Sequence, residues 1–181
     1  MPNWTENTLT IKGKPNDLEL FLEQISSESL AFDFQKIHPI PLELEDISYG
    51  SINIDGKKFS KWRESDNPEG HATGISEEEE KRLNSLYGAS CSLDWQYHNW
   101  GVKWGADNIS AERKSDDCVI LYFNTPWSGP FPMAHYIVKL QNAGDLAPVE
   151  MYWVASDEDD GYATTYVVCD TKIRIIDEIT V

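Results

Sequence analysis

The chain is short of positive charge, short of cysteine and without a long apolar run, and each shortage excludes something. Lysine and arginine number 15 against 31 acidic residues in 181, a formal charge of −16. The acidic excess is nearly equal in the three thirds of the chain, so no acidic tail stands apart from the body. Such a field repels nucleic-acid phosphates, and direct nucleic-acid binding is not expected. The only notable basic group is "GKKFSKWRE", with Lys57, Lys58, Lys61 and Arg63, where Trp62 could stack on a base. Cys91, Cys118 and Cys169 are odd in number and widely spaced, which suits neither a disulfide framework nor a Cys-x-x-Cys metal pair; reduced structural thiols are expected. Nothing approaches the ~18 apolar residues of a membrane helix. The opening "MPNWTENTLTIKG" has no basic region followed by an apolar run. No membrane span, no secretory signal and a cytoplasmic location are therefore the expectations.

Catalytic patterns are missing as well. There is no Gly-x-Ser-x-Gly elbow, no phosphate-binding glycine loop and no His-Glu-x-x-His. His38, His71, His98 and His135 lie in separate segments, so neither metal nor cofactor is expected. The acidic run Asp157 to Asp160 lacks the Asp-x-Asp-x-Asp-Gly spacing of a calcium loop and reads as a solvated hairpin turn.

What is present describes an α+β protein with the length of one domain. Leu9 and Ile11 alternate with Thr8, Thr10 and Lys12, a first strand. Pro15-Asn16-Asp17 opens a helix with Leu18, Phe21, Leu22 and Ile25 on one stripe. Residues 46–75 are polar and turn-rich, part of an insertion at about 44–90 that is expected to be only partly ordered. Within it Ser76 and Glu79 make a capping box, Leu83, Leu86 and Tyr87 an apolar stripe, and Gly88 a stop. "NISAERK" and "DCVILYFNT" read as a hairpin turning at Ser115-Asp116, with Val119 to Phe123 covered on both faces or lying centrally. A second helix carries Met133, Ile137 and Leu140 and ends at Gly144. Strands at "VEMYWVA", "YATTYVV" and "KIRIIDEITV" follow, the last with Ile173, Ile175, Ile179 and Val181 alternating. This order predicts a ferredoxin-like sandwich: an antiparallel sheet with two main helices on one face, a helical or loop insertion, and a C-terminal edge hairpin.

The aromatic residues carry the functional signal. Trp95, Tyr97, Trp100, Trp104 and Trp127 fall in two segments rich in glycine and proline. Tryptophan is rarely buried whole, because its ring N–H wants an acceptor. Gly101 and Gly105 would let backbone approach those rings closely. One reading is a binding groove lined by Trp100, Trp104 and Trp127 with Asn99, Lys103 and Asp107 at its rim. The other is an aromatic mini-core sealing the end of the sheet.

"MPNWTENTLTIKG", "FDFQKIHPIP", "NWGVKWGAD" and "FNTPWSGP" recur in this order in the YubB ferredoxin-like family of plasmid and phage proteins, which this chain resembles over residues 1 to about 155. The family usually has cysteine after the first Asn-Trp, where this chain has Thr5, and a shorter turn after the position of Tyr152. The resemblance implies the fold and an origin in a mobile element, and it brings no catalytic residues. The expectation is a non-enzymatic accessory protein of a phage, plasmid or integrated element that binds a host or mobile-element protein. The alternatives are an acidic mimic of nucleic acid that inhibits a host defence or DNA-binding protein, and a small-ligand binder or enzyme using the tryptophan groove.

Overall fold

The computed structural model describes residues 3–64, 71–157, 162–169 and 172–180, with backbone alone from 157 onward. Of the expected acidic turn Asp157 to Asp160, Asp157 ends a strand and residues 158–160 lie outside the described residues, as does Val181. The chain divides into two compact units, Met1–Pro39 with Asn99–Val181, and Ile40–His98. The segment Ile40–His98, which spans the insertion expected at about 44–90, clusters as a unit of its own.

In the first unit, β1 (Trp4–Lys12) leads to α1 (Pro15–Ile25) and the short α2 (Phe34–Ile37). After the insertion come β5 (Asp107–Ser115), β6 (Cys118–Pro126), α6 (Phe131–Ala143), β7 (Glu150–Asp157), β8 (Tyr162–Cys169) and β9 (Lys172–Thr180). These strands form one sheet of order β5-β6-β1-β7-β8-β9 with every neighbouring pair antiparallel. The split β-α-β connectivity, with β7 and β6 on either side of β1, is the ferredoxin-like arrangement, and the β8–β9 hairpin extends the sheet beyond it.

Alternation decides which face is dry. Along β1, Thr5, Asn7, Leu9 and Ile11 are buried while Trp4, Glu6, Thr8, Thr10 and Lys12 are not. Leu9 lies between Leu121 of β6 and Trp153 of β7, both buried. Phe32, Phe34, Phe123 and Trp153 pack edge to face at 5.1–6.5 Å between centroids. Burying each such side chain contributes about 1.5–3 kcal/mol. Leu18, Phe21 and Ile25 bury one stripe of α1, and Met133, Ala134, Ile137, Val138 and Gln141 one stripe of α6. The apolar run of β6 is covered on one face only: Val119, Leu121 and Phe123 are buried while Tyr122 is exposed. It sits inside the sheet, but its outer residues Ile120 and Tyr122 remain partly open.

The second unit is more regular than its composition suggests. β2 (Ile47–Ile54), β3 (Lys57–Arg63) and β4 (Thr73–Gly74) form a three-stranded antiparallel sheet, accompanied by α3 (Leu42–Glu45), α4 (Glu77–Tyr87) and α5 (Ser92–Asn99), which ends at the unit boundary. Asp55 and Gly56, both at positive φ, form the turn of the β2–β3 hairpin; Asp-Gly is the dipeptide such turns favour. Ser76 caps α4 by accepting from the Glu79 amide at 3.2 Å, and Gly88 ends it at φ 71°. Of the stripe expected on that helix only Leu83 is buried; Leu86 is exposed and Tyr87 half-buried, its hydroxyl donating to Glu43 at 3.0 Å. No helix among the described residues is long and apolar enough to cross a membrane.

Candidate functional site

β6 ends against the start of β1, with Pro126 opposite Trp4. The next residue, Trp127, has φ +62°. The Ser128 amide donates back to the Pro126 carbonyl at 2.9 Å, which makes Trp127 the centre of a three-residue turn of the rare positive-φ kind. For a bulky residue that backbone costs about 1–3 kcal/mol and persists only where neighbours impose it.

The neighbours are a buried polar chain. Trp153 Nε1 donates to Asn7 Oδ1 at 3.0 Å, and Asn7 Nδ2 donates to Thr125 Oγ1 at 2.8 Å. Thr125 Oγ1 in turn donates to the Ser128 carbonyl at 2.7 Å. Asn7 and Thr125 are almost fully buried, so each bond lies where losing it leaves a polar group without water. From outside, Ser128 Oγ donates to the Gly101 carbonyl at 3.0 Å and the Trp127 amide to Asn3 at 2.9 Å. The turn is clamped on both flanks while Trp127 stays 44% exposed.

Trp104 meets that ring edge on at 5.7 Å, and Trp4 meets Trp104 at 6.0 Å. Lys103 Nζ lies 5.6 Å from the Trp104 ring centre and 5.5 Å from that of Trp127, bridging both by cation–π attraction. The structure thus brings together Trp104, Trp127 and Lys103 and adds Trp4, which sequence reasoning missed. Trp4 could have been found from the pairing of β1 with β6, which sets it beside the Pro126–Trp127 turn.

Trp100 is not part of this surface. It is 3% exposed, packs edge on against Phe34 at 5.8 Å, and donates its ring N–H to the His38 carbonyl at 2.8 Å. A groove lined by Trp100, Trp104 and Trp127 is corrected accordingly: Trp100 is core and Trp127 is surface. Asn99 ends α5 half-buried, and exposed Asp107 opens β5, its carboxylate accepting from the Asn108 amide at 2.8 Å. The two glycines serve packing other than the exposed rings. A Cβ on Gly101, at φ 81°, would sit 2.4 Å from Pro132, and one on Gly105 would meet the Phe34 side chain at 3.6 Å.

Several titratable groups elsewhere are engaged. His38 stacks on Tyr136 at 3.6 Å, and its imidazole is held down to about 4, first by burial and then by the Lys139 charge. Burial pushes the Cys91 thiol up to about 11. Lys61 Nζ donates to Ser90 Oγ at 2.6 Å beside Asp94 at 3.3 Å, and Arg63 pairs with Asp46 at 3.1 Å. Trp62 lies against Gly50, where a Cβ would be 3.1 Å from its ring. Half of the basic group at 57–63 is therefore engaged with carboxylates. Arg82 links Glu43 and Glu79 and, chiefly through hydrogen bonds, lowers both carboxylates. Among the described residues no group of three or more His, Cys, Asp or Glu could hold a metal ion.

No protein-family model matches the chain, and no curated protein matches it. Among solved structures it is similar to the crystal structure of a protein api92 from Yersinia pseudotuberculosis, of family model DUF1281, at 13% identity and a TM-score of 0.49 over 100% of this chain and 98% of that one.

Proposed function

We propose that the protein is a non-enzymatic binding protein that docks a partner protein on the surface formed by Trp104, Trp127 and Lys103. The observation that supports this reading is Trp127: a large ring held out to solvent on an unfavourable backbone by a buried network. A residue serving packing alone would relax that backbone and bury the ring; retained strain at an exposed aromatic is the pattern of a preorganised contact. An accessory role in a phage, plasmid or integrated mobile element is part of the proposal and rests on the resemblance of the four sequence stretches. The test is photocrosslinking in cells with p-benzoylphenylalanine in place of Trp127, and at exposed Leu86 as control. Discrete protein adducts from position 127 and not from 86 are expected. The same adducts from both positions, or none from 127, would end the proposal.

A further inference from the structure

The rings of the tryptophan surface and the Lys103 ammonium offer hydrogen-bond donors and no acceptor of their own. Two core tryptophans have their ring N–H groups spent, Trp100 on the His38 carbonyl and Trp153 on Asn7. Those of Trp4, Trp104 and Trp127 find no acceptor among the described residues, and none is sealed from solvent. Indole is a donor only. The Lys103 ammonium, which faces two rings and pairs with no carboxylate among the described residues, adds more donors and again no acceptor. Successive rings meet at 73° and 61°, so the surface is a series of angled aromatic walls and not one flat platform.

Two carboxylates lie next to it. Glu6 and Asp107 both pair with Asn124, on the same row of the sheet, two residues along β1 from Trp4 and on its face. Together with the net charge of −16 they set the sign of what approaches.

We infer, resting on the docking proposal above, that the partner presents a basic, proline-rich segment in the polyproline II conformation. Proline keeps its carbonyl and has no N–H, so a proline-rich backbone is the acceptor-rich, donor-poor counterpart of this lining. Its rings fit between angled indoles, its extended helix leaves every carbonyl free, and it loses little entropy on binding. Flanking arginine or lysine meets Glu6 and Asp107. A segment with ordinary amides would bring N–H groups that meet no acceptor on these rings or on Lys103 and lose their water there.

The test follows the seven indole N–H signals of the isotope-labelled protein by NMR while a short arginine-flanked proline-rich peptide is added. The signals of Trp4, Trp104 and Trp127 should shift saturably while those of Trp100 and Trp153 stay. The same peptide with alanine at every proline should bind at least about tenfold more weakly. Trp127→Gly should weaken the proline peptide by a similar factor. It remains folded, because glycine is at home at φ +62°. Equal binding of the alanine peptide would reduce the contact to electrostatics and overturn the inference. So would tighter binding of a neutral oligosaccharide or an oligothymidylate, or no loss on Trp127→Gly. If the proline peptide fails while cross-links from position 127 persist, the proline-rich assignment falls and the docking surface stands; if the cross-links fail too, both fall.

Discussion

Trp100 and Trp127 belong to one aromatic cluster by composition and to opposite regimes by structure. Trp100 has its ring in the core, its N–H on a carbonyl and its glycine neighbour packed on proline. Trp127 has its ring in solvent, its N–H without an acceptor among the described residues, and its backbone strained. The difference shows where the chain spends stability on packing and where it holds a shape that packing does not require.

The comparison can be broken first at Trp100. Trp100→Ala removes a buried ring and leaves the His38 carbonyl without that donor, so the loss should be about 3–5 kcal/mol by denaturant unfolding. A loss below about 1 kcal/mol would move Trp100 out of the core. Next comes the network behind the turn. Asn7→Ala strips the Trp153 N–H and Thr125 of a partner where water cannot replace it, and about 1–3 kcal/mol should go. It should also release the Trp127 backbone, visible as line-shape changes for Trp127 and Ser128 amides. Unchanged amides would separate the network from the turn.

Acid sharpens the contrast further. The His38 imidazole titrates near 4 in the folded chain against about 6.5 unfolded, because burial and Lys139 disfavour the cation. As pH falls from about 6.5 to 4 the unfolded chain takes up this proton first. The contribution is whole above 6.5, lost across that window and level below it. For a half-buried ring roughly 1–2 kcal/mol is expected. It should appear as the difference between the wild type and His38→Asn; parallel curves would remove the effect. The smallest change is expected at Trp127 itself. Trp127→Gly gives up partial ring burial and relieves strain, leaving stability within about 1 kcal/mol of wild type. A loss near that of Trp100→Ala would make Trp127 a core residue after all.

Much of the fold was legible because its signals are local. The α1 stripe, the Ser76 cap, the Gly88 and Gly144 stops and the turn after Ser115 depend on residues a few positions apart, and each lies where its spacing indicated. The β2–β3 sheet was overlooked although Asp55-Gly56 announces a hairpin, because β2 and β3 alternate around charged and small residues and bury little. Leu86 reads as core by spacing and is exposed. Periodicity identifies a face, but what covers it comes from elsewhere in the chain.

The identity of the aromatic residues, the acidic balance and the period of each element were set by the sequence itself, since composition and nearest-neighbour sterics need no partner. Which tryptophan faces solvent was decided only by tertiary structure. Trp4 and Trp127 are 123 residues apart and become neighbours because β1 and β6 pair in the register that puts Pro126 opposite Trp4. Trp100 and Trp104 are one helical turn apart in sequence, yet one meets Phe34 and the other meets Trp127. Registers and long-range hydrogen bonds of this kind arise from the whole chain minimising exposed apolar area and unpaired polar groups together, and no local window of residues contains that sum.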